Sequence, residues 1–240
     1  DSESRGLGDV YKRQAINVMR RLIQSAGAEV IHLGHDQSAK AVVDCAIQED
    51  AHGVALTSYQ GGHVEYFTYI RQLLDEAGCK HIRIFGGGGG TITPPEIKTL
   101  HESGISKIYS PDDGRTMGLM GMIHHLMGIA SEVDLIHPDR IASLSGPVTP
   151  EDTAKVGLLL TMSESADDKT FKSTLEKCRS SEKEVPVIGF TGTGGAGKSS
   201  LLDELMLRIL RDNPGKKVCL LCVDPTRKRT GGALLGDRIR

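Results

Sequence analysis

Between Ala15 and about Ala130, short apolar runs alternate with longer amphipathic stretches. The runs Glu29–Leu33, Gly53–Thr57, Ile82–Phe85 and Lys107–Tyr109 have strand length, and each is followed at once by Gly or Ser, which predicts four strands. Ala15–Ala26, Ser38–Glu49, His63–Ala77, Pro94–Ser103 and Arg115–Ile129 carry apolar residues at helical spacing, which predicts five helices. Strict alternation of the two kinds implies a parallel sheet covered by helices. A pattern that opens on a helix implies a further strand ahead of it, and restoring one gives the five-stranded, doubly wound sheet of the flavodoxin-like type. Ligands of such sheets sit beyond the carboxyl ends of the strands. The loops that matter are therefore 34–37, 58–62, 86–93 and 110–114.

The pattern changes twice further along. From 131 to 184 the charge rises and helical stretches appear at Pro150–Met162 and Lys169–Arg179 with no strand, the expectation for a helical linker. From Val185 onward a strand at Pro186–Thr191, a helix at Lys198–Arg211 and a second strand at Lys217–Val223 announce another α/β domain, covering 185–240. Residues 4–14 fit neither period and resemble one reading frame of a sequencing-library adaptor. Residues 1–14 are accordingly set aside as non-native, with the first domain expected over 15–130, the native chain beginning near Ala15, and the protein continuing past Arg240.

Composition narrows the partners. Lys plus Arg number 29 against 31 Asp plus Glu, a net charge of -2, so no bulk field favours nucleic acid or an acidic membrane. Five cysteines and no bilayer-length apolar run give the expectation of a reducing, cytoplasmic setting. Cys219 and Cys222 lie within the apolar run Val218–Val223 and read as parts of a buried strand rather than a redox or zinc pair. The 29 glycines gather at 86–90, 192–197 and 231–232, a distribution that points to backbone approaching ligand.

One cluster has a definite chemistry. Gly192-Thr-Gly-Gly-Ala-Gly-Lys-Ser199 follows an expected strand and opens an expected helix, the context that turns Gly-x-x-x-x-Gly-Lys-Ser into a P-loop. Gly192, Gly194, Gly195, Ala196 and Gly197 supply inward-facing backbone N–H groups for phosphate oxygens. Lys198 adds a point charge for the β- and γ-phosphates, Ser199 offers a hydroxyl to magnesium, and Ser200 extends the helix amino end. Asp224, at the carboxyl end of the next strand, is the first choice for the metal's water shell and Asp237 the second. Arg227, Lys228 and Arg229 are either phosphate neutralisers or a solvated loop.

The other cluster reads differently. Gly86, Gly87, Gly88, Gly89 and Gly90 exceed what a turn requires, and the neighbouring strand ends in Ser58-Tyr-Gln-Gly-Gly-His63. Neither loop contains lysine or arginine, so a large, mostly neutral ligand is expected rather than a phosphate. Glycine used only for close packing is the alternative.

The stretches Ala28-Glu-Val-Ile-His-Leu-Gly34, Ser58-Tyr-Gln-Gly-Gly-His63, Phe85-Gly-Gly-Gly-Gly-Gly90 and Tyr109-Ser-Pro-Asp-Asp-Gly114 resemble the cobalamin-binding domain of the acyl-CoA mutases, the methylmalonyl-CoA mutase family. The tail from Val223 to Arg240 is similar to the chaperone GTPases of that group. The resemblance implies adenosylcobalamin in a slot, with Ser58 bonded to its nucleotide base, Gly86–Gly90 lining it, and Tyr59, Gly61, Gly62, Ser110 and Pro111 at its border. It also implies GTP with magnesium in a domain that loads cobalamin, a mutase barrel elsewhere in a homodimeric parent, and an adenosyltransferase as a delivering partner. The family's axial histidine, from an Asp-x-His motif, would fall near Lys12, where no histidine stands. Weak cobalamin binding, no mutase turnover and little GTPase activity are expected of these 240 residues alone. The rival readings are a cobalamin carrier or sensor with a nucleotide switch, and an ATP-dependent kinase or metal-insertion ATPase with an unrelated regulatory domain.

Overall fold

A computed structural model describes residues 16–58, 61–149, 151–179 and 185–222. Three strands, β1 (Gly53–Thr57), β2 (Arg83–Gly87) and β3 (Lys107–Tyr109), form one parallel sheet in the order β1-β2-β3. Gly53 pairs with Arg83 and Thr57 with Gly87, so the carboxyl ends of β1 and β2 finish level. Tyr109 pairs with Gly87 and brings β3 to the same edge. The helices are α1 (16–25), α2 (Ala39–Gln48), α3 (His63–Glu76), α4 (Pro94–Glu102), α5 (Pro111–Ser131), α6 (Pro138–Ala142), α7 (Thr153–Ser165), α8 (Asp168–Cys178) and α9 (Lys198–Asp212).

Local chemistry sets these bounds. Ser38 caps α2 by accepting from the Ala41 amide, and Asp167 caps α8 by accepting from Lys169 and Thr170. Thr93 with Glu96 and Ser110 with Asp113 form capping boxes at α4 and α5, each followed by proline in the first turn. The second box starts α5 four residues ahead of the expected Arg115. Within α5, Gly118 is non-helical (φ 65°, ψ 172°) and kinks the helix.

Phe67, Ile70 and Leu74 recur along one face of α3 and are fully buried against Ile82, Ile84, Ile108 and Leu100. Each such side chain contributes roughly 1.5–3 kcal/mol of burial, which holds α3 on the sheet. Val42, Val43 and Ala46 of α2 close the same core.

Two compact units divide the chain, residues 1–181 and 182–240. In the first, α6–α8 build a small second core from Leu144, Leu158, Met162 and Cys178, and α7 lies close on the end of α2. A Cβ at Gly157 would meet the Ile47 carbonyl oxygen at 2.9 Å, so only glycine permits that approach. The Asp50 carboxylate, buried just after α2, fastens the packing from below the sheet. Arg140 Nη2 reaches its Oδ1 at 2.5 Å, Thr161 Oγ1 donates to Oδ2 at 2.8 Å, and His81 Nε2 stands 3.4 Å away.

Three expected strands differ. Glu29–Leu33 joins no ladder: in the doubly wound order it is an edge strand whose partner is the strand that would precede α1, and none stands among the described residues. Ile31 and Leu33 are exposed as a result. In the second unit Pro186–Thr191 and the described part of Lys217–Val223 are likewise unpaired, with Val187 and Leu221 at 93% and 86% exposure. Cys219 and Cys222, expected inside a buried strand, are exposed for the same reason.

Candidate functional site

The loops that follow β1 and β2 are tied together above the sheet, and loop 34–37 is anchored on α3 beside them. The Ser58 amide donates to the Gly87 carbonyl at 3.0 Å, extending the β1–β2 pairing past the strand. Thr91 Oγ1 donates to the carbonyls of Ser58 (3.1 Å) and Gly88 (2.6 Å), closing the turn after β2 onto the end of β1. At the far end of the first loop, the buried His63 ring places Nε2 3.3 Å from Glu96 Oε1. The other oxygen of Glu96 accepts from Thr93 N–H (2.7 Å) and Thr93 Oγ1–H (2.6 Å). Hydrogen bonds from Thr93, with a smaller contribution from His63, hold the Glu96 carboxyl below the usual carboxylate range. The third tie is Tyr66 Oη, which donates to the Gln37 carbonyl at 2.9 Å and anchors loop 34–37 on α3.

Gly86, Gly87 and Gly88 alternate by strand parity, and Gly89 and Gly90 lie in the turn that follows. A Cβ on Gly86 would stand 2.6 Å from both Phe67 Cε2 and Ile108 Cδ1, and one on Gly88 2.4 Å from the Ser58 carbonyl oxygen. Packing alone accounts for those two. Gly87 would meet nothing nearer than the Tyr109 carbonyl oxygen at 3.6 Å, and Gly89 and Gly90 are exposed with φ of 57° and 95°. Gly61 and Gly62 are exposed with open space where a side chain would be, Gly62 at φ 84° as the cap of α3. Bare backbone thus faces outward from 61–62, 87 and 89–90, on loops with no cationic side chain. Tyr59 lies outside the described residues.

At β3 the expected border residues are committed to structure. Ser110 Oγ donates to Asp113 Oδ2 (2.9 Å) and accepts the Asp113 amide (3.2 Å); Pro111 is the first residue of α5, its Cγ 3.4 Å from the Gly90 Cβ position. Burial raises the Asp113 pKa, but the Ser110 amide, Lys107 and Ser110 Oγ outweigh it, and the net shift is downward. Tyr109 Oη lies 3.0 Å from His125 Nδ1, and burial, with the Asp113 charge, pushes the phenol up to about 12.

In the expected phosphate loop the helix is present and the preceding strand is not paired. Gly195 and Gly197 take φ of 77° and 79°, and Gly197 caps α9, whose first residue is Lys198. Lys198 Nζ donates to the carbonyls of Gly192 and Thr193, both at 2.7 Å, so the ammonium folds back over its own loop. Ser199 and Ser200 occupy the first turn of α9 behind it. Asp224 and Asp237 lie outside the described residues. Among the described residues no three His, Cys, Asp or Glu side chains gather as a metal cage. Neither the Glu96 partner of His63 nor the Asp50–Arg140 pair was anticipated, since both join residues whose separation gives no periodic signal.

Two family profiles match the chain: B12 binding domain over residues 7–108, and methylmalonyl Co-A mutase-associated GTPase MeaB over 156–240. The first takes in residues 7–14, set aside above as foreign. The chain is 49% identical over 233 residues to the fused isobutyryl-CoA mutase of Geobacillus kaustophilus, covering 94% of itself and 21% of that protein. It is 50% identical over 229 residues to the fused isobutyryl-CoA mutase of Nocardia farcinica, again 94% of itself and 21% of the relative. A mitochondrial methylmalonic aciduria type A homolog of Caenorhabditis elegans is 47% identical over 53 residues, 22% of this chain and 13% of that one. The chain thus spans about a fifth of the length of the fused relatives. The chain thus carries a segment similar to the B12 binding domain followed by one similar to the MeaB GTPase, in the order in which it aligns along 94% of its length with the fused isobutyryl-CoA mutases.

Proposed function

We propose that this chain is the cofactor-holding and nucleotide-gated part of an adenosylcobalamin-dependent acyl-CoA mutase that interconverts isobutyryl-CoA and butyryl-CoA. The observation that carries the reading is the set of tied strand-end loops, with outward glycine backbone at Gly61, Gly62, Gly87, Gly89 and Gly90 and no cation among them. A broad, neutral group fits such a surface, because backbone without side chains lets a flat ligand approach closely. When bound, adenosylcobalamin supplies a carbon radical by homolysis of its cobalt–carbon bond. The chain's own residues would bind, orient and shield: Ser58 would hydrogen-bond the nucleotide base, Gly87, Gly89 and Gly90 would form the slot wall with Gly86 and Gly88 packed behind them, and Tyr59, Gly61, Gly62, Ser110 and Pro111 would border it.

In the second unit Lys198 exchanges the Gly192 and Thr193 carbonyls for the β- and γ-phosphates of GTP. Ser199 would offer its hydroxyl to magnesium, with Asp224 the first choice for the metal's water shell and Asp237 the second. GTP binding and hydrolysis gate the loading of cobalamin, a coupling of two ligand states. The parent is a cytoplasmic homodimer with a mutase barrel, supplied by an adenosyltransferase. Among the described residues no helix is long and apolar enough to cross a membrane.

The lower cobalt ligand does not fit as well. Residues 1–15 contain no histidine, and His63, nearest the slot in sequence, is buried against Glu96. Cobalamin is therefore held weakly and without imidazole ligation. Titration of the chain with hydroxocobalamin, followed by absorbance and calorimetry, tests both parts. Binding without a histidine-ligated, base-off spectrum is expected. A tight histidine-ligated spectrum overturns the axial reading, and no binding at millimolar cofactor overturns the cobalamin reading.

A further inference from the structure

The carboxyl ends of β1 and β2 are joined twice. The first join is backbone-based: Ser58 N–H to Gly87 O, and Thr91 Oγ1 to Ser58 O. It fixes where both loops leave the sheet. The second lies where the loops re-enter helices, at His63, the first residue of α3, and Glu96, in the first turn of α4. Between the joins lie 61–62 on one side and 89–92 on the other, which carry most of the exposed glycine backbone among the described residues.

Glycine-rich loops have no side-chain packing of their own to define their spacing. Only the ends can set it. The helix amino ends are not held by local capping alone, because Gly62, the cap of α3, has no side chain to offer. Glu96 makes up the deficit by dividing its oxygens, Oε2 to the α4 cap at Thr93 and Oε1 to His63 across the gap. His63 Nε2 faces the Glu96 carboxylate at 3.3 Å, an ion-pair distance that turns the ring toward α4. His63 is 7% exposed and makes this contact beneath the loops rather than in them.

We propose that His63 and Glu96 are positioning residues for the cobalamin slot, a pair that sets the separation of loops 58–62 and 88–93 without touching the cofactor. The inference rests on the cobalamin reading above.

The test compares the chain with His63→Phe, His63→Gln, Glu96→Gln and Thr93→Ala, measuring hydroxocobalamin affinity, thermal midpoint and amide hydrogen exchange in the two loops. Loss of one charge-assisted contact corresponds to about tenfold in affinity, the change expected for His63→Phe and Glu96→Gln. Exchange in both loops should rise together, while β1 and β2 stay protected. His63→Gln, which keeps a donor toward Glu96, should remain within about threefold of the parent. Thr93→Ala removes one of the two hydrogen bonds that Glu96 Oε2 accepts and leaves the Thr93 amide to hold it, so it should lower the thermal midpoint more than the affinity. Variants that lose thermal stability but bind cobalamin like the parent overturn the proposal, as does unchanged exchange in the loops. If His63→Phe does not fold, Glu96→Gln decides, since Glu96 is 37% exposed and its substitute still offers the cap an acceptor. A parent chain that binds no cobalamin defeats the underlying reading instead, a result distinct from variants that match a binding parent.

Discussion

Arg140→Met isolates what joins α6–α8 to the sheet. The substitution keeps the aliphatic stem and removes the guanidinium that reaches Asp50 Oδ1 at 2.5 Å, Oδ2 at 3.5 Å and the Leu135 carbonyl. Asp50 is 5% exposed and Arg140 18%, so the pair is largely removed from water. Breaking a buried pair by deleting one partner costs about 3–5 kcal/mol, because the remaining charge stays buried. Here Asp50 keeps Thr161 at 2.8 Å and His81 at 3.4 Å, which places the loss nearer about 2–3 kcal/mol. Against a typical stability of about 5–15 kcal/mol that is a large fraction. Urea unfolding followed by circular dichroism should show a lower midpoint at unchanged slope. Acid adds a second signature. Burial raises the Asp50 pKa, and hydrogen bonds from His81, Arg140 and Thr161 together with the Arg140 charge outweigh it, leaving the folded value below the ordinary one. A depressed folded pKa contributes stability that is present above the unfolded value, near 3.9, and is lost as pH falls through the folded value. Without Arg140 the folded pKa rises, so the variant should lose stability at higher pH than the parent does. A midpoint change worth less than about 0.5 kcal/mol, with the acid limb unmoved, would refute the assignment of Asp50 as the fastening point.

The glycines give a paired prediction. Gly86→Ala should cost about 1–3 kcal/mol by overpacking against Phe67 and Ile108, whereas Gly87→Ala should fold nearly as well as the parent yet lose cobalamin. Equal thermal midpoints for the two would contradict the parity assignment. Ser110→Ala should destabilise α5 by about 1 kcal/mol through loss of its capping box, read by thermal unfolding, with the Asp113 carboxyl moving back toward its ordinary range. Lys198→Ala should abolish magnesium-dependent binding of a fluorescent GTP analogue while changing stability by less than about 0.5 kcal/mol, because Nζ contacts only exposed loop carbonyls. Retained nucleotide binding would remove the loop from the phosphate site.

How far the sequence could be read depends on how local each determinant is. β1 and β3 fall on the expected residues because buried parallel strands are short apolar runs stopped by Gly or Ser, a signal contained in the run itself. Glu29–Leu33 carries the same signal and forms no ladder, since a strand is defined by a neighbour as much as by its own residues. The early start of α5 was legible in Ser110-Pro-Asp-Asp113, a capping box followed by proline at the first helical position, and was passed over in favour of periodicity that begins later. The glycine run marks a strand end but not the division of labour within it. Gly86 shares a face with Ile84 and Gly87 with Phe85, both buried, so it is the contacts with Phe67 and Ile108 that set Gly86 apart. No such rule reaches Asp50 and Arg140, or His63 and Glu96, because their meeting follows from the crossing of whole elements. Both are charged or ionisable pairs, with Asp50 and His63 the buried members. They differ in place, one below the sheet holding the helical segment, the other above it between the loops. A polar pair costs desolvation that an apolar one does not, so its use above the sheet is best explained by a requirement for fixed geometry at the loop ends.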